Sequence, residues 1–105
     1  IDKLMSLFPN VSTEIGDSKK TLPLVLNNLS ERELSPDFIL VDGDHTTDGV
    51  RFDLLNILRI SPTKDLFVLV HDSFNPDCRK GMLEIEYEKY KHVHHVEIDF
   101  VQGNF

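Results

Sequence analysis

The most informative segment of this chain is DFILVDGDH, residues 37–45, because a strand pattern and a polar cluster meet there. Its centre, residues 38–41, is an uninterrupted apolar run, which is typical of a β-strand covered on both faces. The run ends abruptly in polar residues at 42–45, and a second apolar run, residues 66–70, also ends in polar residues at 71–73. We therefore predict that residues 37–41 and 66–70 form neighbouring central strands of a parallel sheet.

Helical periodicity fills the segments around these two runs. Apolar residues at helical spacing predict a helix that begins between Asp17 and Thr21. A second helix is expected from about Thr47, with an apolar stripe formed by Val50, Leu54, Ile57 and Leu58. Asn75-Pro76 predicts the start of a third helix, because Asn is favoured as an N-cap and Pro at the first helical position. We expect this third helix to end between residues 90 and 92.

Weaker patterns extend this interpretation to both ends of the chain. Residues 1–8 predict the end of a helix, and the alternating apolar residues of 11–15 and 93–101 predict two further strands. The order β-α-β-α-β-α-β favours an α/β fold with a Rossmann-like, mostly parallel sheet and helices on both faces. We expect residues 1–105 to form a single, partial domain of this class.

Composition excludes several functional classes. The 105 residues contain 11 Lys and Arg against 18 Asp and Glu, a net charge of −7, which opposes nucleic-acid binding through phosphate contacts. No apolar run approaches the roughly 20 residues of a membrane span, so no membrane partner is expected. The single cysteine, Cys78, excludes an intrachain disulfide and fits a reducing compartment, so we expect a cytoplasmic location. At helical spacing with Met82 and Ile85, Cys78 is predicted to be a packing residue.

Polar side chains follow both central strands: Asp42, Asp44 and His45 after the first, and His71 and Asp72 after the second. Strands of a parallel sheet present their carboxyl ends at one edge, where ligands bind in open α/β sheets. We predict that Asp42 and Asp72 share a divalent cation such as Mg²⁺, Ca²⁺ or Mn²⁺, with His45 as a general base. The alternative is that the two acids cap helices or bind solvent and that His45 only hydrogen-bonds within its loop.

One other candidate site carries less weight, and one common motif is absent. The histidines at 92, 94 and 95 look like a metal tract, but adjacent strand residues point to opposite faces and no nearby Cys or acid completes a zinc set. The 105 residues contain no glycine-rich phosphate loop of the G-x-G-x-x-G or G-x-x-x-x-G-K-[ST] type.

Residues 37–46, followed by Gly49, Val50 and Asp53, resemble the D-x-I-x-I-D-G-D-H-(S/T)-Y-x-G-V-x-x-D segment of class I S-adenosylmethionine-dependent methyltransferases. The likeness is greatest to the branch with small-molecule O-methyltransferases and cephalosporin-hydroxylase-like proteins. Residues 16–23 resemble the G-D-S-x-x-x-L-P segment of that branch, and residues 70–73 resemble the end of its fifth strand. The resemblance spans residues 11 to 101.

The resemblance implies roles for individual residues. Asp17 and Ser18 would lie beside the adenine of S-adenosylmethionine, the implied cofactor. Asp42 would lie near the methyl-transfer centre and, as in metal-dependent members, bind Mg²⁺ or another divalent cation together with Asp72. His45 matches the family histidine and would act as the catalytic base. The implied reaction transfers a methyl group to a small-molecule acceptor, including a sugar or a hydroxylated compound.

The chain also departs from the family. His71 stands where metal-dependent members can have an acid, and Thr47 stands where a tyrosine is common. The family's first strand, glycine-rich cofactor loop and ribose-binding acid precede the matched segment, so the likeness is to the C-terminal half of the domain. We therefore expect these residues alone not to bind S-adenosylmethionine tightly, and to complete their sheet with a missing N-terminal half or as a homo-oligomer.

Two other functions stay open at the level of sequence. Asp42-Gly43-Asp44 after an apolar strand also fits the metal-binding D-x-D of a nucleotide-sugar glycosyltransferase. The third interpretation is a non-catalytic α/β interaction domain that keeps the motif without a cofactor.

Overall fold

The computed structural model describes residues 7–99 as a small α/β unit of three α-helices and a two-stranded parallel sheet. The elements are α1 (Ser18–Glu31), β1 (Phe38–Val41), α2 (Thr47–Leu58), β2 (Phe67–Val70), α3 (Pro76–Leu83) and a 3₁₀ helix (Tyr87–Lys89). The predicted alternation of helix and strand is confirmed from α1 to α3. Residues 1–6 of the predicted first helix lie outside the described residues.

The two strands are paired in parallel, as predicted. The register runs from Phe38 opposite Phe67 to Val41 opposite Val70. At the end of the ladder, the backbone N–H of His71 donates to the carbonyl of Val41 over 2.9 Å. Both strands therefore end at the same edge of the sheet, and the residues that follow them start side by side.

Helix α2 lies between α1 and α3 and also contacts β1. The buried core is formed by Val41, Val50, Leu54, Ile57, Cys78, Met82 and Ile85. The predicted stripe of α2 is confirmed, with Leu58 at its margin, and Cys78 is fully buried, as its predicted packing role requires. Within residues 7–99, no helix has the length and apolar character needed to cross a lipid bilayer.

Each helix begins at a side chain that accepts a backbone N–H of its first turn. The caps are Asp17 for α1, Thr46 for α2 and Asn75 for α3. Such bonds satisfy N–H groups that have no partner within the helix. They explain why all three helices begin where the sequence predicts.

The C-terminal end of α3 differs from the prediction, because the helix ends at Leu83 and not between residues 90 and 92. The hydroxyl of Tyr87 donates to the carbonyl of Met82 over 2.7 Å, a carbonyl that a longer helix would pair with residue 86. Burial raises the pKa of Tyr87 to about 12, so this hydroxyl stays a donor. Ile85 then turns into the core.

The two outer strand predictions are wrong for the described residues. Residues 11–15 form no strand, and Ile15 is 83% exposed. Residues 93–99 are also irregular and are held by side chains instead, since Arg79 Nη2 donates to Asp99 Oδ1 over 2.6 Å. Alternation alone does not make a strand, because a strand needs a neighbour to receive its backbone hydrogen bonds. Residues 100 and 101 of the second prediction lie outside the described part.

The predicted covering of both sheet faces is also wrong for residues 7–99. On the face of the sheet that meets the helices, Ile39 and Val70 pack against the core. The opposite face carries four exposed side chains: Phe38 at 58%, Leu40 at 51%, Phe67 at 67% and Leu69 at 41%. The described helices contact one another through α2, so they form one layer and leave this apolar face uncovered.

We expect the double variant Leu40→Thr, Phe67→Thr to bind less of a hydrophobic dye while keeping its stability. Both side chains are exposed and threonine suits a strand, so the free energy of unfolding changes by only about 0.5 kcal/mol. Dye fluorescence and urea unfolding measure the two quantities. Val41→Thr, a buried position in the same strand, is the control and loses about 1 kcal/mol or more. Unchanged dye binding in the double variant would contradict the exposed face.

Candidate metal centre and the adjoining cleft

The side chains that follow the two strands meet at the carboxyl edge of the sheet. His71 Nδ1 lies 3.1 Å from Asp42 Oδ1 and 3.0 Å from Asp72 Oδ2. One ligand atom from each of these three side chains lies within 4.8 Å of the others, and all three residues are exposed. Asp42 and Asp72 are therefore brought together, as the sequence predicted, and His71 joins them. We call this group the strand-end cluster.

The turn after β2 places Asp72 in the cluster. Its φ of 57° lies in the left-handed region, which Asp and Asn adopt more readily than most residues. The carbonyl of Asp72 accepts from the backbone N–H of Asn75 over 2.9 Å, which joins the turn to the cap of α3. Asn is therefore a conservative variant at this position, because it tolerates the same backbone conformation and has nearly the same shape.

His45 lies at the margin of the strand-end cluster. Its Nε2 is 3.0 Å from Asp72 Oδ2, the same oxygen that faces His71. If Nε2–H donates to this oxygen, Nδ1 is left as a proton acceptor. The His45 side chain is 55% exposed, so a bound molecule can reach it.

The donor set of the strand-end cluster suits a divalent cation. Two carboxylates and one imidazole match the mixed oxygen and nitrogen ligands of Mn²⁺ and related ions, and carboxylates alone suit Mg²⁺. The exposure of the cluster leaves room for water or substrate oxygens in the remaining positions. Within residues 7–99, no other set of three acidic, His or Cys side chains has this spacing.

Asp44 does not belong to the cluster. Its Oδ1 accepts from the backbone N–H of Thr46 over 3.0 Å, so it organises the loop that leads into α2. Gly49 makes this possible, because a Cβ there would lie 2.7 Å from the Asp44 side chain. Since Asp42 is grouped with Asp72 and not with Asp44, the geometry gives no support to a D-x-D pair.

A cleft of about 360 Å³ adjoins the cluster between α1, β1 and α2. Ser18, Asp42 and Gly43 line its polar side. Leu22, Val25, Ile39 and Ile57 are among the apolar residues that line it. Asp17 is not among the lining residues, since its carboxylate caps α1 by accepting from the backbone N–H of Lys19. Of the two residues that the resemblance places beside adenine, only Ser18 reaches the cleft.

Asp53 is quoted above only as the last residue of the methyltransferase-like motif, and the sequence predicted no role for it. It is 5% exposed and lines the cleft beside Gly43. Burial raises the pKa of its carboxyl group, the nearby Asp17 and Asp44 add to the rise, and the Ser18 side chain opposes it as a hydrogen-bond partner. The available signal was its spacing: position 53 falls on the helical face of the buried Val50 and Leu54.

We expect Asp53→Asn to raise the free energy of unfolding at neutral pH. The raised pKa means that the carboxyl group of Asp53 binds its proton more tightly in the folded state than in the unfolded state. The free energy of unfolding therefore falls as the pH rises from the pKa of Asp53 in the unfolded state to its pKa in the folded state. When urea unfolding is measured at several pH values from acidic to neutral, the free energy of unfolding should therefore fall less in the Asp53→Asn variant than in the unmodified chain. Asp65→Asn, an exposed change, is the matched control. A less stable Asp53→Asn variant at neutral pH would contradict this account.

No family model, curated protein or solved structure matches this chain. The likeness to methyltransferases therefore rests on the quoted motifs. The cofactor, the small-molecule substrate, the assembly with a further half or copy and the cytoplasmic location stay predictions.

Proposed function

We propose that this chain is part of a Rossmann-like, S-adenosylmethionine-dependent methyltransferase domain that acts on a small hydroxylated acceptor with the help of a divalent cation. The observation that carries the proposal is the strand-end cluster of Asp42, His71 and Asp72. It lies at the carboxyl edge of two parallel strands, the edge where open α/β sheets bind their ligands.

The residues present fit a divalent cation. Two carboxylates and an imidazole face one another across distances short enough for shared coordination, and all are open to solvent. A cation held there would supply Lewis-acid chemistry that favours loss of a hydroxyl proton from the acceptor. Asp42 and Asp72 would balance the charge of the cation, and His71 would complete the protein side of the site.

The chain's own residues then orient the acceptor and accept its proton. His45, held by Asp72 through Nε2, accepts the hydroxyl proton at Nδ1. Transfer breaks the sulfur–methyl bond of the donor and forms an oxygen–methyl bond in the acceptor. Because the leaving group needs no proton, positioning of the two reactants contributes most of the rate.

The fit to the cofactor is partial. Ser18 and Asp42 line one cleft, with apolar side chains that suit a flat ring. The 105 residues contain no glycine-rich loop to hold the remainder of the cofactor. The proposal therefore includes a second contribution to the pocket, from an N-terminal half or from another copy of the chain.

Equilibrium dialysis with labelled S-adenosylmethionine tests the proposal. The gene product that contains these residues is expected to bind the cofactor, and Asp42→Asn is expected to weaken binding, whereas Asp65→Asn leaves it unchanged. The 105-residue chain alone should bind far more weakly. Absence of binding by the whole gene product would overturn the methyltransferase assignment. Micromolar binding, about −8 kcal/mol, by a monomer of the 105 residues would overturn the half-domain interpretation.

A further inference from the structure

A second groove, of about 730 Å³, lies along β2. It is lined by Phe67, Val68 and Val70 of β2, by Leu58 of α2 and by residues 92–98, but by no residue of β1. The groove therefore follows the outer edge of the sheet, the edge of β2 that faces away from β1. It is not the cleft discussed above, which lies between α1, β1 and α2.

The edge of β2 along this groove carries backbone groups without partners. The N–H of Phe67 donates to the carbonyl of Asp37 over 3.0 Å, and the N–H of His71 also donates toward β1. Because the direction of backbone groups alternates along a strand, the N–H and C=O groups of Val68 and Val70 face the groove. Within residues 7–99 the sheet has two strands, and no backbone hydrogen bond joins these two residues to the far wall. Val68 is 39% exposed, so this edge can be reached.

The far wall of the groove has the same property. Residues 93–97 have no regular structure, and residues 94–98 make no backbone hydrogen bond with any other part of the chain that the structure describes. A polypeptide strand inserted between the two walls can donate and accept along both of its edges. A lipid or a small apolar molecule would leave all these backbone groups unpaired, so the groove favours a polypeptide.

Charge determines which polypeptide fits. Asp65 and Glu97 line the groove and have no ion-pair partner among residues 7–99. Lys64 also lines it, but its Nζ is paired with Asp37 Oδ1 over 2.7 Å. The chain as a whole carries a net charge of −7, so it repels a second copy and attracts a basic segment.

From these observations we infer that the groove binds an extended, basic segment of a partner polypeptide, which adds to the edge of β2 as a third strand. On its other side the segment pairs with residues 94–98, and its apolar side chains pack on groove residues such as Leu58 and Met82. The four residues of β2 span about 13 Å, so about four residues of the partner are paired. The inference does not rest on the proposed function, because it uses neither the strand-end cluster nor the cleft between α1, β1 and α2.

Three short, capped peptides with a centre of alternating valine and threonine are the probes. The first is flanked by lysine, the second by glutamate, and the third is the lysine-flanked peptide with N-methyl groups on alternate backbone amides. Binding to the 105-residue chain is followed by NMR at pH 7.5, above the usual pKa of a histidine side chain.

The lysine-flanked peptide is expected to slow amide–water exchange at Val68 and Val70 saturably. Exchange at Leu69 should not change, because its N–H faces β1. The other two peptides should bind at least about tenfold more weakly. The glutamate-flanked peptide is repelled by the acidic chain, and the N-methylated peptide has lost backbone donors.

Two variants of one residue assign the effect to the edge of β2. Val68→Pro removes the outward N–H, and proline is tolerated on edge strands. Val68→Thr is the matched control, since threonine keeps the N–H and suits a strand. Val68→Pro should bind the lysine-flanked peptide at least about tenfold more weakly, whereas Val68→Thr should bind it as the unmodified chain does.

Several results would overturn the inference. Absence of a saturable effect, or equal binding of the N-methylated peptide, would exclude strand addition, whether or not Val68→Pro folds. Equal binding of the glutamate-flanked peptide would exclude a basic partner. Exchange at Val68 and Val70 that slows with rising concentration of the chain alone would assign the groove to a second copy.

Discussion

We expect Asp72→Asn to weaken the proposed binding of a divalent cation by at least about tenfold, and Asp65→Asn to leave it unchanged. The reason is geometric: Asp72 Oδ2 lies 3.0 Å from His71 Nδ1, and this oxygen supplies one of the two negative charges of the strand-end cluster. Changes even to residues that only support metal ligands cost about ten- to a hundredfold in affinity, so loss of a ligand should cost no less. Titration with Mn²⁺, followed by electron paramagnetic resonance, measures the affinity.

Substitution by Asn removes the carboxylate of Asp72 as a metal ligand without disturbing the fold. Asn tolerates the left-handed backbone that Asp72 adopts, with φ of 57°, so the turn into α3 is kept. Far-ultraviolet circular dichroism should show an unchanged helix content. Unaltered Mn²⁺ affinity in a folded Asp72→Asn variant would remove Asp72 from the cation site and, with it, the main support for cation-assisted catalysis.

We expect Gly81→Ala to destabilise the fold by about 2 kcal/mol or more, because the added methyl group clashes in a packed interior. A Cβ on Gly81 would lie 2.6 Å from the carbonyl oxygen of Thr47 and 3.3 Å from the backbone nitrogen of Arg51. Both are backbone atoms of α2, so relief requires that α3 move away from α2. The effect is measured as the change in the free energy of unfolding in urea.

Gly43→Ala is the matched control. A Cβ there would meet only Asp53 Oδ2, at 3.5 Å, an ordinary contact distance, and Gly43 does not have a positive φ. The control should change stability by no more than about 0.5 kcal/mol. If the two substitutions change stability equally, Gly81 is not needed for the close approach of α2 and α3.

Several features of the fold could be predicted from the amino-acid sequence because their signals lie within a few neighbouring residues. The caps Asp17, Thr46 and Asn75 fixed the helix starts, because a capping bond spans only two or three residues. The two apolar runs predicted adjacent parallel strands, and this pairing placed Asp42 beside Asp72. That part of the candidate site followed from topology, since parallel strands end at one edge.

Other features depend on residues that are far apart in the sequence, so they could be seen only in the folded chain. Residues 11–15 and 93–99 have strand-like alternation but no ladder partner, and α3 ends early because Tyr87 takes the carbonyl of Met82. The lack of a hydrogen-bond partner for Asp53 Oδ1 likewise required the coordinates, because it depends on where α1 and the loop after β1 lie around α2. Periodicity places a residue on a helix face, whereas burial and hydrogen-bond partners are set by what packs against that face.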